Sequence, residues 1–463
     1  MKVKNYLLTL LAATSLMACS NEEENSVDQG TGKAWVGVSL TLTQPTETKV
    51  AGDANSDDAE VAVKSISVYL QNEGTVAGYT KIADMDKFTN SGTLQYISQA
   101  IPVVGTVGET RKLLVIVNEP AGFTMPSDID ADGRMTYTIG HLSELLPVDG
   151  TAPDGIPMVN TEVVNATLQI DGYTASNSPV KVSVERLVAK AQLTESMGIE
   201  HSDIEADAFQ PDGISPGKFL AGTLKWKIKN SNLSMYLPKK AGEDPNMMLL
   251  LGDYYDYEAE PYLGNLVTIP YTMSGTTIPE TGYVGGVPTQ IQYFTENFND
   301  DYDYGNTTYI SVQVAFSPSN WWTFSRLEPG HTVLEYRDNE SENPKTFYYD
   351  PEKREYWDAD EEVIYVATYT GKFDKDKFLG PYTNGICYYN IPIGTKFPAT
   401  DASELGAVRN TFYKANITKL IAPGEPGEPD PLKPVIKDKV FLAVEMTVAP
   451  WSSQDMGEIE LGK

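Results

Sequence analysis

Short segments in which every second residue is apolar recur along the whole of this 463-residue chain, and that period of two limits its fold more tightly than any other feature. Trp35–Thr43 (WVGVSLTLT) puts Val36, Val38, Leu40 and Leu42 on one face. Ser65–Gln71 is also strand-like, Lys112–Asn118 is apolar enough to be a strand buried on both faces, and Leu224–Asn230, Thr307–Phe316, Glu361–Tyr369, Gly385–Ile393 and Asn410–Leu420 are short, alternating and bounded by Gly, Pro or Asp. Lys181–Thr194 is expected to be one long strand, and His141–Leu146 one short helix. Many short strands with so little helix between them predict an all-β protein of two tandem antiparallel sandwiches with Greek-key-like connections. The expected division is a first sandwich over 50–195 and a second over 196–421.

The end of the chain breaks the pattern. Ala422–Pro434 holds five prolines in thirteen residues, a composition that favours a stiff extended spacer over a sheet interior. A linker over 422–439 is therefore expected to hold the last segment, 440–463, away from its own domain. That segment opens with VFLAVEMTVA, an alternating strand with Val440, Leu442, Val444, Met446 and Val448 on one face and Trp451 just beyond. It is a close match in pattern to Trp35–Thr43. A strand that can leave at one end and a spare strand at the other is what a subunit needs to polymerise by strand donation, in which an extended segment completes a neighbour's sheet.

The N-terminus reads as an export signal over 1–18. Lys2 and Lys4 precede an apolar run from Tyr6 to Met17, too short to span a membrane. Leu16–Cys19 (LMAC) resembles a bacterial lipobox, which makes Cys19 the expected lipidated residue and gives the precursor an outer-membrane anchor. Glu22, Glu23 and Glu24 follow, similar to the surface-export signal of Bacteroidota lipoproteins. Residues 19–49 then form a leader that contains the first strand.

Charge and rare residues exclude several functions. A formal charge of −29 repels nucleic acid and acidic membrane surfaces, and it keeps an exposed protein soluble. His141, His201 and His331 are far apart in sequence, and there is no zincin, Walker or dinucleotide-binding motif, so no catalytic residue, metal or cofactor is expected. Cys387, in an apolar run, reads as a small buried hydrophobe. Asp128–Gly133 (DIDADG) matches the first half of a calcium loop, but Ile139 stands where the loop needs Glu; an acidic turn is the plain reading. Asp253–Tyr262 and Asp301–Gly305 mix carboxylates with tyrosines, as glycan-contact loops can; exposed loop decoration is the plain reading. Trp321 and Trp322 could form a binding platform, but core or edge packing of a sandwich is the expected role. A surface glycan-binding lipoprotein is thus the competing class, although it leaves the proline-rich segment and terminal strand without a role.

Several stretches, taken together and in order, resemble the Bacteroidales fimbrial subunits called type V pilins, including the shaft-forming subunits of the short, Mfa-type fimbriae. They are the lipobox, Lys33–Thr43 with Lys49–Asp53, Lys64–Leu70, Lys112–Asn118, Val182–Ala191, Leu224–Lys240, Asn306–Val314, Val408–Ile417, the proline-rich linker, and Val444–Trp451 with Gly457–Leu461. The resemblance implies a lipoprotein precursor, cut by a trypsin-like protease in the loop after the first strand. Carried onto this chain, the cut falls between Lys49 and Val50, the strand with Val36, Val38, Leu40 and Leu42 is expelled, and the strand from Val440 to Trp451 of another subunit fills the opening. Implied partners are further copies of the chain, tip and anchor subunits, and the protease. The family's processing residue is typically arginine, yet no arginine precedes Arg111 here, so lysine specificity is required. Lys33 is the other candidate.

Overall fold

The computed structural model describes residues 32–42, 62–73, 78–92, 95–127, 129, 133–139, 145, 148–149, 152–153, 155–195, 217–220, 223–239, 266–267, 272–273, 283–284, 287–288, 291–298, 302–328, 331–339, 344–420, 422–436 and 442–450. Strands of two residues are left unnumbered below. The N-terminal part contains β1 (Gly32–Val36), β2 (Val38–Leu42), β3 (Ile66–Gln71), β4 (Tyr79–Asp84), β5 (Phe88–Gly92), β6 (Gln95–Ser98), β7 (Ile101–Gly105) and β8 (Thr110–Val117). It continues with β9 (Met135–Thr138), β10 (Met158–Asn160), β11 (Val164–Thr167), helix α1 (Gly172–Asn177) and β12 (Val180–Arg186). The main sheet here runs β4-β3-β8-β10-β12-β2-β6-β5, with β11 also on β8, while β1 and β7 form a separate pair.

The second part has β13 (Val188–Glu195), β14 (Gly217–Phe219), β15 (Lys225–Lys229), β16 (Ser234–Leu237), β17 (Ile291–Thr295) and β18 (Tyr309–Pro318). There follow β19 (Asn320–Glu328), β20 (His331–Asp338), β21 (Phe347–Asp350), β22 (Glu355–Asp358), helix α2 (Glu361–Tyr369), β23 (Leu379–Tyr382), β24 (Ile386–Pro392), β25 (Thr411–Leu420) and β26 (Leu442–Pro450). One sheet is ordered β17-β13-β25-β26; a second places β18 between β14 and β15 and carries β24; a third is β20-β19-β22-β21-β23. The chain is all-β in the expected sense. Its sheets are not purely antiparallel, because β2 runs parallel to β12, β13 to β25 and β19 to β22.

The three largest apolar cores among the described residues organise the two parts. Val36, Val38, Leu40, Val68, Val115 and Val184 belong to the first, and Trp226, Phe294, Phe316, Cys387 and Ile417 to the second. A third joins the parts, since Leu114, Ile116 and Val159 from the first sheet pack with Val188, Met235, Leu237 and Tyr293 from the second half. β9 and β16 pair across the same join. Beside it, Arg409 donates from Nε to Glu296 at 2.6 Å and from a terminal nitrogen to both Glu296 and the Tyr236 carbonyl.

Two expected elements beyond the first strand differ. Lys181–Thr194 is not one strand: it breaks at Leu187, β12 stays in the first sheet, and β13 enters the second between β17 and β25. The change of sheet comes earlier than position 195. Glu361–Tyr369 is a helix, not a strand. Asp360 caps it by accepting from the Glu362 amide, Glu361 and Glu362 sit favourably at the positive end, and Val363 and Ala367, one turn apart, are its buried residues. The helix expected over 141–146 lies outside the described residues except for Leu145.

Candidate functional site

The first described strand segment is paired along its length and buries one face, while Lys33 and Thr41 are exposed. Trp35–Thr43, expected as one strand, is divided at Gly37. β1 pairs antiparallel with β7 from Gly32 opposite Gly105 to Val36 opposite Ile101. β2 then enters the main sheet between β12, to which it runs parallel from Val38 opposite Val180 to Leu42 opposite Val184, and β6, where Ser39–Thr41 face Ile97–Gln95. Val36, Val38, Leu40 and Leu42 are exposed by 3 % or less. All four lie in the first core.

Gly37 makes the change of sheet feasible. A Cβ added there would lie 2.1 Å from the Ala175 carbonyl oxygen, so the chain passes beneath α1 only because the residue has no side chain. Asp171 accepts from the Thr174 amide to cap α1, and Val180 donates to the Gly37 carbonyl at 2.7 Å. Val38 donates its amide to Ser98 Oγ at 2.8 Å. A glycine inside an alternating run is itself a sequence signal for a bend or close approach. The expected strand carried that signal at its third residue.

Removing β1 and β2 would split the main sheet, leaving β12 and β6 each with an open edge and β7 without a partner. Lys49 and Val50, the expected scissile pair, and Cys19 lie outside the described residues. Lys33 lies within β1, opposite Val104.

At the other end, β26 is an edge strand of its own second domain. It pairs antiparallel with β25 from Thr411 opposite Pro450 to Leu420 opposite Leu442, with an irregularity between Ile417 and Lys419. Met446 is buried, and Val444 is half-buried against the second core, opposite Ala415 and Ile417 respectively. The backbone of Leu442 and Val448 lies in β26; Val440 and Trp451 are outside the described residues.

This corrects the expectation of a free arm. The proline-rich segment is docked on the domain. Tyr304 and Gly305 donate their amides to the Lys433 and Pro431 carbonyls, and Val435 donates to Tyr302. Tyr382 and Tyr389 donate their hydroxyls to the Gly424 and Ala422 carbonyls at 2.7 and 2.8 Å. Glu428 holds Lys227 and Lys229 of β15, each at 2.7 Å. Proline removes donors but leaves carbonyls, and those carbonyls are what the tyrosines and loop amides use.

The remaining candidates resolve into packing. Tyr302 and Tyr304 of the 301–305 loop are buried, which overturns their reading as exposed glycan contacts. Trp321 is buried, and Trp322 stacks on Trp357 with centroids 5.2 Å apart. Cys387 is fully buried among apolar residues, and burial pushes its thiol well above the ordinary range. Of the calcium-like loop, Ile129 and Gly133 are described and the three aspartates are not; 253–262, His141 and His201 are likewise outside the described residues. Among the described residues no three His, Cys, Asp or Glu side chains are grouped as metal ligands.

Residues 381–456, from the end of β23 through β26, match the family model described as "Major fimbrial subunit protein type IV, Fimbrillin, C-terminal". The chain is similar over 97% of its length to a minor fimbrium subunit Mfa1 of Porphyromonas gingivalis, 20% identical and covering 98% of that protein. Among solved structures it resembles a putative cell adhesion protein from Parabacteroides distasonis, at 12% identity and TM-score 0.44, covering 91% of this chain and 100% of the other. It also resembles a fimbrilin from Porphyromonas gingivalis, at 14% identity and TM-score 0.40, covering 91% and 99%.

Proposed function

We propose, for a chain that belongs to the Bacteroidales fimbrial subunits of the fimbrillin and Mfa type, a role as the shaft-forming subunit of a cell-surface fimbrium that assembles by cleavage-gated strand exchange. The observation that carries this reading is the position of β2. It is an N-terminal strand buried in mid-sheet, which one cut in the segment that follows would separate from the rest of the chain.

In this reading the precursor is exported as a lipoprotein through Cys19 and cut between Lys49 and Val50. Loss of β1 and β2 exposes a slot lined by the edges of β12, β6 and β7 and floored by the first core. The segment from Val440 to Trp451 of another subunit fills it. The chain has no enzymatic task; its work is mechanical continuity from subunit to subunit, with tip and anchor subunits closing the two ends.

The energetics fit a durable joint. Seating five apolar side chains of the donor contributes about 8 to 15 kcal/mol as an upper bound, at roughly 1.5–3 kcal/mol each. Ordering some ten residues opposes this by about 1–2 kcal/mol per residue. Leaving β25 costs the donor its present contacts as well, so the equilibrium gain is modest and permanence comes from slow escape of a whole strand. Storage of β26 on β25 keeps Met446 buried and Val444 half-buried until a slot opens.

A Val444→Asp substitution tests the donor assignment. The charge is expected to abolish multimers, while the variant, once cut, still offers its own slot and therefore caps growing wild-type fibres. Normal fibres from Val444→Asp alone would refute the assignment.

A further inference from the structure

We infer, on the strand-exchange reading above, that the donated strand enters the slot in the same direction as the strand it replaces and in one register, with Val440 in the place of Ala34, Val448 in that of Leu42, and Glu445 opposite Lys181 of the receiving subunit.

The slot itself selects the register. A shift by one residue turns the apolar face of the donor outward, so only even shifts compete. At the Gly37 position even one Cβ meets the Ala175 carbonyl oxygen at 2.1 Å. In the inferred register the donor presents Ala443 there, and α1 need yield only to a methyl group; seating its other alanine, Ala449, would bring Pro450 to the place of Val38, whose amide donates to Ser98, and Gln454 to that of buried Leu42. Only Ala175 of that six-residue helix is buried, and Tyr173 is 81% exposed, so the helix has room to move outward. A shift of two places sets Phe441 or Glu445 against the same carbonyl. Insertion in the opposite direction can keep Ala443 at Gly37, but it then puts Asp438 in the place of Leu42, in the apolar core.

The other positions agree one by one. Phe441 takes the place of Trp35, Leu442 of Val36, Val444 of Val38, Met446 of Leu40, and Thr447 of Thr41. The one change of chemistry is at Ser39, where the donor brings Glu445. Ser39 pairs with Lys181 on β12 and with Ile97 on β6, and Lys181 is exposed on the outer face of the sheet. A carboxylate at that position gains a directly opposed cation. The leaving strand has nothing to offer Lys181 but a hydroxyl, so Glu445 makes the replacement strand a better electrostatic match than the original.

The test is cross-linking within fibres. Directly opposed residues on neighbouring strands lie within disulfide reach, and Cys387 is buried, so it does not compete. The processed chain carrying Lys181→Cys with Glu445→Cys should oxidise into a covalent ladder on a denaturing, non-reducing gel, as should Ser183→Cys with Thr447→Cys, which reads the next same-face position and keeps both charges. Lys181→Cys with Ala443→Cys or with Thr447→Cys should not. Linking through either of the latter pairs, or fibres that none of the pairs can link, would overturn the register. Absence of multimers before oxidation in all variants and in the unmodified chain would instead overturn strand exchange itself. As an independent readout, Lys181→Glu should speed subunit loss from the fibre about two- to fivefold, with Glu445→Lys restoring it.

Discussion

Tyr388 and Glu425 exchange two backbone hydrogen bonds, of 2.9 and 2.8 Å, and so fasten the start of the proline-rich segment to β24. The segment leading to β26 is thus held by this bridge and by the Glu428 pairs, and β26 itself by β25.

Acid should loosen that hold. Burial works to raise the Glu428 carboxyl, but hydrogen bonds from Lys227 and Lys229 outweigh it and leave the group below its ordinary range. A carboxylate lowered in the folded state stabilises fully above the unfolded value near 4.5 and loses that contribution as pH falls through the folded value. Hydrogen-exchange protection of residues 424–435 should be constant from neutral pH to about 5 and fall below 4.5. Glu428→Gln should show the loosened state at neutral pH; equal protection in the variant would contradict this role. The effect is small, because Glu428 is part-exposed.

Arg409 and Glu296 form a buried ion pair at the join between the two halves. Arg409→Met should cost about 3–5 kcal/mol in urea unfolding because it strands the Glu296 charge, whereas Arg409→Met with Glu296→Leu should recover most or all of the loss. A double variant as unstable as the single one would show that the charges, and not merely their pairing, are needed.

Cys387 should behave as a core residue. Its thiol, raised by burial, stays protonated when folded, so its stabilising contribution is full below the unfolded value of about 9.0 and declines at higher pH. A thiol reagent at pH 8 should label the chain only on unfolding, and Cys387→Ser should cost about 1–3 kcal/mol by burying a weakly partnered hydroxyl. Rapid labelling of the folded chain would reopen a chemical role for it.

Processing should depend on Lys49 and not on Lys33. Lys33 is inside β1, hydrogen-bonded in register with β7, and proteases cut extended segments free of such pairing. Lys49→Gln is expected to leave the precursor intact under brief trypsin treatment, as read by mass spectrometry of the N-terminal fragment. Lys33→Gln should be cut normally, and the reverse pattern would move the cut upstream of the first strand.

What was legible in the sequence was whatever one strand's alternation carries. Val36, Val38, Leu40 and Leu42 announce a buried face, and they are buried. Alternation does not say which sheet a strand joins. Lys181–Thr194 remains alternating and apolar across Leu187, so the step from the first sheet to the second leaves no mark. Glu361–Tyr369 fits both periods: its Val, Ile and Tyr residues suggested a strand, while the capping Asp360 and the buried pair Val363 and Ala367 decide for a helix. The proline-rich segment misled for a different reason. Its composition excludes a sheet interior, but its docking depends on Tyr382, Tyr389 and two lysines of β15, residues distant in sequence whose hydroxyls and charges meet it only in the fold.

The most direct test of cleavage-gated exchange uses residues 20–463 and a version ending at Lys439, each treated briefly with trypsin. The new N-terminus is read, and unboiled samples are compared on a gel. The account predicts a start at Val50 in both and a ladder of multimers in the longer chain alone. A start at Val50 with no ladder, or the same ladder from the chain that lacks β26, would contradict it.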